Sequence, residues 1–569
     1  MKTPFKSPAL ALALALAAAL LSGCASQRPA AVVDINIATL NDFHGYIEPS
    51  KFTYTDAGGT ARSELAGGID TIAAALQAWR KEDPQLLLVG AGDLIGASPA
   101  ISSMWADETT LGALNLLRMN ATSVGNHEFD AGRAELLRQQ KGGCVSPRPD
   151  KACKFEPAYP GAKFQYLAAN VVDMVTNKPF LPAYHVEEVR GVKVGFIGAV
   201  LKDTAQVVLA SGIAGLQFTD EAQAINRVLP ELRAQGVNVF VVLIHQGGRT
   251  TDALDRPDCP NLQGEIVDVV KRLDPAIRVV ISGHSHKGYL CRVDGRLVTQ
   301  AETAGHVMSR IKLSVDTATN SVVAESARNV VMEQDRYPAD PAMVAYVDTV
   351  RKRSNEVLGK PVARLAVPRV ARATGDDSSE SAIGNLVADS MLAAGKPFGA
   401  QIAFMNRGGL RNDLLSGDGN VTTLAHLHAV LPFGNALDVM NLTGAQLRAL
   451  LEEQWLQGRS VTRGLLQVSN GFTYQWDARQ PEGQRVVPGS VLLHGVPIED
   501  GATYRVVTNH FLAEGGDYFP TFARGTARAP TPIRDIDALA AYLAQRDRDG
   551  KPAGSAQQAG RVQRRQSPP

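Results

Sequence analysis

The chain has 569 residues, with 58 Lys+Arg against 57 Asp+Glu and a net charge of +1. That length predicts two to four domains of ~100–200 residues each, and the near-neutral balance gives no electrostatic case for a nucleic-acid polymer as partner. Hydrophobic residues at 45% and charged residues at 20% exclude wholesale disorder, while five cysteines are too few for a disulfide scaffold and odd in number.

Met1 to Cys24 reads as a targeting segment, with Lys2 and Lys6 ahead of a short apolar run from Ala9 to Leu21. That run is too short to span a bilayer, and no later one approaches ~18 residues. Leu21-Ser22-Gly23-Cys24 resembles the lipobox of bacterial lipoproteins. The resemblance implies cleavage before Cys24 and a lipid on its thiol, with an ordinary secretory signal as the alternative. Ala25, where retained lipoproteins carry Asp, implies sorting to the outer membrane. In an oxidising space Cys144, Cys153, Cys259 and Cys291 form an even set. Their three possible pairings stay open, as do four free thiols.

Residues 25–31 read as a tether. Over 32–338, Val- and Ile-rich runs alternate with helical patterns. The runs include Val32–Leu40, Gln85–Ala91, Val192–Val200, Val237–Ile244 and Ile277–Ser282, and the helices Gly68–Lys81 and Ala222–Gln235. Near-continuous apolar runs suit strands buried on both faces, and the alternation is that of an α/β fold. Residues 339–359 predict a polar connecting helix, which Gly359 and Pro361 end. A second α/β domain follows over 360–547, with helices at Ala382–Ala394 and Gly444–Trp455 and strands at Gln401–Met405 and Tyr504–Thr508. Residues 548–569, rich in Gln, Arg, Gly, Ser and Pro, predict a disordered tail.

The strongest chemical signal is where His, Asp and Asn fall. Five apolar runs each deliver such residues just past the same end. They give Asp42 and His44, then Asp93, then Asn126, His127 and Asp130, then His245, and finally His284 and His286. In a wound α/β sheet those carboxyl ends converge on one crevice. Each motif alone reads as a turn, a helix cap or a core histidine, and their coincidence reads as a site. The mixed N/O donor set favours borderline divalent ions (Zn, Mn, Co or Fe) and has enough donors for a two-metal site of the kind used in phosphoryl hydrolysis.

At these residues the chain resembles the calcineurin-like metallophosphoesterases, and more closely the bacterial 5′-nucleotidase and UDP-sugar hydrolase family. The blocks are Asn41-Asp42-Phe43-His44-Gly45, Gly92-Asp93, Gly125-Asn126-His127-Glu128-Phe129-Asp130 and Gly283-His284-Ser285-His286. The resemblance implies a four-layer α-β-β-α sandwich, a linker helix and a second α/β substrate-binding domain. It implies that Asp42, His44 and His286 hold one divalent ion and Asn126, His245 and His284 another, with Asp93 bridging. His127 then faces the phosphate and Asp130 orients it.

In the second domain Met405-Asn406-Arg407-Gly408-Gly409-Leu410-Arg411, Pro432-Phe433-Gly434-Asn435 and Phe511 to Asp517 resemble that family's substrate loops. The resemblance implies that Phe433 and Phe511 sandwich the base, and that Asp517 accepts from the ribose hydroxyls. It gives Asn406 and Asn435 to the nucleoside and Arg411 and Arg372 to the phosphate. Some relatives carry two close arginines where this chain has only Arg372, followed by acidic residues.

The implied activity is hydrolysis of nucleoside 5′-phosphates by an exported, lipid-anchored enzyme that meets the membrane through its N-terminal lipid only. Three alternatives remain: a 2′,3′-cyclic-nucleotide or UDP-sugar phosphodiesterase, a thiosulfate-pathway hydrolase of the same fold, and a surface nucleotide-binding or adhesive lipoprotein.

Overall fold

A computed structural model describes residues 32–56, 58–372, 380–456, 465–554 and 560–565. The targeting segment, Cys24 and the tether therefore lie outside the described residues. No helix among the described residues is long and apolar enough to cross a membrane.

The first half of the chain builds two six-stranded sheets. One has the strand order 321–331, 307–316, 32–40, 87–91, 121–123, 165–167; the other runs 288–293, 296–301, 277–282, 239–245, 192–200, 184–189. The inner strands of each are parallel. Ile35, Ile37, Val89, Phe196, Val241 and Ile281 pack between the sheets in a wholly buried layer. Helices cover both outer faces, giving four layers. Strands with apolar side chains on both faces are what the unbroken Val/Ile runs demand.

The helix Ile69–Glu82 shows the local logic. Ile69, Ile72, Ala73, Leu76 and Trp79 recur at helical spacing and are buried, and Arg80 and Lys81 occupy the last turn, where cations suit the dipole. The connecting helix Pro341–Leu358 begins where Asp340 accepts N–H bonds from Ala342 and Met343 at 3.0 and 3.1 Å, with Pro341 in the first turn. Its Met343, Val347 and Val350 join the core of the first domain. Trp105 Nε1 donates to Ser354 Oγ at 2.9 Å, and Tyr346 OH to the Thr109 carbonyl at 2.7 Å. The helix is thus docked on the first domain, and the change of domain falls just after Leu358.

The second domain is built on a five-stranded mixed sheet ordered 467–468, 402–405, 503–509, 436–443, 526–534. Its last helix, Asp535–Arg548, packs on the helix Ala382–Gly395. Beyond it the structure corrects the expectation of a disordered tail. Ala553 is buried, and Val562–Arg564 pairs in parallel with Tyr474–Trp476. Arg561, 7% exposed, reaches both oxygens of Asp389 through its guanidinium at 2.7 and 2.9 Å. Glu380 accepts backbone N–H bonds from Gly560, Arg561 and Val562. Composition misled here because an ion pair and strand hydrogen bonds, not an apolar run, hold the segment. Residues 555–559 and 566–569 lie outside the described residues.

The cysteine pairings left open by the sequence are settled as Cys144–Cys153 and Cys259–Cys291, with Cα atoms 5.5 and 4.2 Å apart.

Candidate metal centre

The parallel strands of both sheets end on one side, and their next residues meet there. Asp42, His44 and His286 form one set and Asp93, His245 and His284 another, the donor atoms in each lying within 4.8 Å of one another. Asp42, His44, Asp93, Asn126 and His245 are all buried. The backbone is bent to present them: Asp42 (φ 47°), His44 (47°), Asp93 (49°), His284 (73°) and His286 (54°) are all left-handed. Such conformations cost on the order of 1–3 kcal/mol each away from glycine and gather at functional sites. Gly125 explains the opening of its motif, since a Cβ there would stand 2.1 Å from Asp93 Oδ1.

Second contacts fix which ring nitrogen faces inward. His44 Nδ1 lies 2.8 Å from the Gly96 carbonyl, and His245 Nδ1 lies 2.8 Å from that of Ala91. A carbonyl only accepts, so each Nδ1 carries the proton and each Nε2 turns a lone pair into the site. His44 Nε2 is 3.1 Å from His286 Nε2, and His284 Nδ1 is 3.1 Å from Asn126 Oδ1. His286 Nε2 is 3.3 Å from Asp42 Oδ1.

His245 provides the test of fit. Its Nε2 is fully buried, 2.9 Å from Asp93 Oδ2, yet has no hydrogen-bond partner. Two such acceptors need a cation between them. A proton serves in the ion-free chain: burial works against it, but Asp93 and then Asp42 outweigh burial and push His245 up to about 9. A divalent ion satisfies the same atoms, so the residues fit one. Burial pushes His44 well down and His284 down to about 3, which favours the neutral imidazole that binds metal. Burial opposes ionisation of Asp93, but His245 and His127 outweigh it and hold its carboxyl well below the usual range.

His127 borders this cluster. Its Nδ1 is 2.8 Å from Asp130 Oδ2, as the three-residue spacing predicts, and its backbone N–H donates to Asp93 Oδ1 at 2.9 Å. Burial lowers His127, but Asp130 and Asp93 override it and leave the group raised. His127 also falls within donor distance of His44 and Asp93. With Nδ1 engaged by Asp130, Nε2 is left for other work.

Glu128 was missed as a functional residue in the sequence. It is 2% exposed, and its carboxylate accepts the backbone N–H groups of Asp93 (2.9 Å), Leu94 (2.8 Å), Ile95 (3.3 Å) and Gly125 (2.6 Å). It ties together the two loops that carry Asp93 and Asn126. Its only signal was a Glu beside the motif histidine. Asn41 was a further omission: its Nδ2 donates to Asp42 Oδ2 at 2.7 Å.

In the second domain, Asn406 Nδ2 donates to Asp517 Oδ2 at 2.7 Å, and Asn509 Nδ2, not singled out beforehand, donates to Asn406 Oδ1 at 3.0 Å. The Phe511 ring lies against Gly516, where a Cβ would meet it at 2.4 Å. Arg372 donates to the Arg411 carbonyl and, through its backbone N–H, to Asp413 at 2.8 Å. Burial, then Arg411 and Arg407, push Arg372 down. Residues 373–379, which follow it, lie outside the described residues. The Asn435 carbonyl accepts from the Asp535 N–H at 2.9 Å. Phe433 is stacked on His127, with ring centroids 5.8 Å apart and 19° between planes, and among the described ring contacts it does not pair with Phe511.

Residues 35–288 match the calcineurin-like phosphoesterase family, and residues 361–524 match the 5′-nucleotidase C-terminal domain. The cell wall protein Lmo0130 of Listeria monocytogenes is 31% identical over 564 residues, covering 93% of this chain and 69% of that protein. The chain belongs to the 5′-nucleotidase family. Its members are metal-dependent phosphoester hydrolases of the calcineurin-like type. The endonuclease YhcR of Bacillus subtilis is 32% identical over 517 residues, 90% of this chain, and the chain spans 40% of that longer relative. The structure of a 5′-nucleotidase precursor from Thermus thermophilus superposes with a TM-score of 0.73 at 27% identity, over 94% of this chain and 100% of that one.

Proposed function

We propose that this chain hydrolyses nucleoside 5′-phosphates outside the cytoplasm, releasing nucleoside and phosphate. The observation that carries the reading is the meeting of two donor sets, one holding Asp42 and the other Asp93, with the His127–Asp130 pair at their edge. Asp42, His44 and His286 would hold one divalent ion, Asn126, His245 and His284 the other, and Asp93 both. Two such ions, when bound, supply an activated water and neutralise charge on the phosphoryl group. His127 Nε2 donates a hydrogen bond to a phosphoryl oxygen, and Asp130 keeps that imidazole protonated and oriented. Arg411 and Arg372 bring positive charge to the phosphate from the second domain. Asn406, Asn435 and Asp517 hold the ribose side, and the rings of Phe433 and Phe511 receive the base, which any nucleobase can satisfy through its π face.

Export and lipid attachment at Cys24 belong to the same reading. Two disulfides support an oxidising compartment, and the naming of one relative as a cell wall protein agrees with it. A second reading, phosphodiester hydrolysis at the same centre, is favoured by the relative named an endonuclease. Phosphate release from AMP, set beside product analysis for UDP-glucose (UMP and glucose 1-phosphate) and 2′,3′-cyclic AMP (the ring-opened adenosine monophosphate), separates the two. We expect AMP to be the best substrate. Turnover of either diester with none of AMP would move the assignment to the phosphodiesterase, and no turnover of any with added Mn or Zn would leave a binding protein.

A further inference from the structure

Three contacts hold the His127 ring. Asp130 takes Nδ1 at 2.8 Å. His44 meets the ring edge-on, with centroids 5.1 Å apart and planes at 76°. Phe433 covers its face at 5.8 Å and 19°. Asp130 and His44 come from the first domain, and Phe433 from the second. The stack spans the domain boundary and is within the range of an offset aromatic pair.

The Phe433 loop is short and fastened at both ends. Leu431 and Pro432 before it are buried, and after it the Asn435 carbonyl is tied to the Asp535 N–H at 2.9 Å. Gly434 turns at φ +60° with open space beside it, so the chain leaves the ring at once. A phenyl ring has two faces, and His127 takes one.

We infer that Phe433 is a positioning residue for His127, and that a base stacked on its other face steadies the imidazole that works on the phosphate. The inference rests on the 5′-nucleotidase reading and adds to it: base recognition enters the chemical step, not binding alone. A phosphate ester without a base, such as ribose 5-phosphate, receives less of this support. Phe511 packs on Gly516 and, among the described ring contacts, does not meet His127.

The test is the split between kcat and KM. Phe433→Leu should lower kcat on AMP about three- to ten-fold, the range one offset ring contact carries. It should also narrow the kcat advantage of AMP over ribose 5-phosphate. Phe433→Tyr, which keeps the stack, should hold kcat near the wild-type value. Unchanged kcat on AMP in Phe433→Leu, with only KM raised, overturns the inference while leaving the 5′-nucleotidase reading standing. No AMP hydrolysis by the wild-type chain overturns both. If Phe433→Leu does not fold, the Phe433→Tyr comparison decides, because loss of kcat despite a retained ring contradicts the inference.

Discussion

At the scale of single residues, the centre depends on groups that bind nothing themselves. Glu128 satisfies four amides of two loops, and an unsatisfied buried N–H costs about 1–3 kcal/mol. Glu128→Ala should therefore lower metal content per chain, read by elemental analysis, and lower the melting temperature of the ion-free protein. Full metal content in that variant would contradict the role. Asp93→Asn should abolish turnover, because Asp93 stands with His245 and His284 while also lying near His44. Retained wild-type activity in a folded Asp93→Asn protein would remove Asp93 from the site. The donor residues that meet at this site were legible in the sequence, because each follows an apolar run. Glu128 was not, because its partners are backbone amides that leave no side-chain pattern. The left-handed backbone at Asp42, His44, Asp93, His284 and His286 was equally hidden, since Asp and His do not announce it as Gly does.

At the scale of elements, the strands named from the sequence fall within two residues of those observed, because runs buried on both faces have few alternatives, while others such as Val307–Asp316 and Ser321–Val331 were not named. The closing segment was misread for the opposite reason. A buried ion pair, Arg561 with Asp389, holds it together with strand hydrogen bonds and the amides bound by Glu380. Arg561→Ala would leave Asp389 buried and unpaired, at a cost of about 3–5 kcal/mol. The expected result is a clear fall in melting temperature, and an unchanged one would show the segment to be incidental. The helix Gly132–Lys141 carries a second such group. Burial opposes ionisation of Glu135, but Arg138 and Arg148 outweigh it and pull the group from 4.5 to about 2. A carboxyl lowered on folding adds stability above its unfolded value, and that stability fades as pH falls from 4.5 toward 2. The melting-temperature gap between wild type and Glu135→Gln should therefore be full at pH 6 and shrink on acidification. A constant gap would contradict the ion-pair origin.

At the scale of the whole molecule, the two domains face each other across the chemistry. Phe433 reaches His127, and Glu514 accepts from the backbone N–H and hydroxyl of Ser211 at 3.3 and 3.4 Å. Sequence motifs placed metals on one domain and substrate loops on the other, with a helix between. They did not show that this helix is packed into the first domain, because its polar composition concealed the buried stripe of Met343, Val347 and Val350. A disulfide engineered to hold the domains apart should stop turnover, and undiminished activity would show that closure is not required. In the proposed function one metal centre, served by both domains, cleaves nucleoside 5′-phosphates. Phosphate release from AMP measures it directly: activity should vanish on EDTA treatment and return with Mn or Zn. Undiminished release from thoroughly metal-free protein, or none after metal is restored, would contradict it.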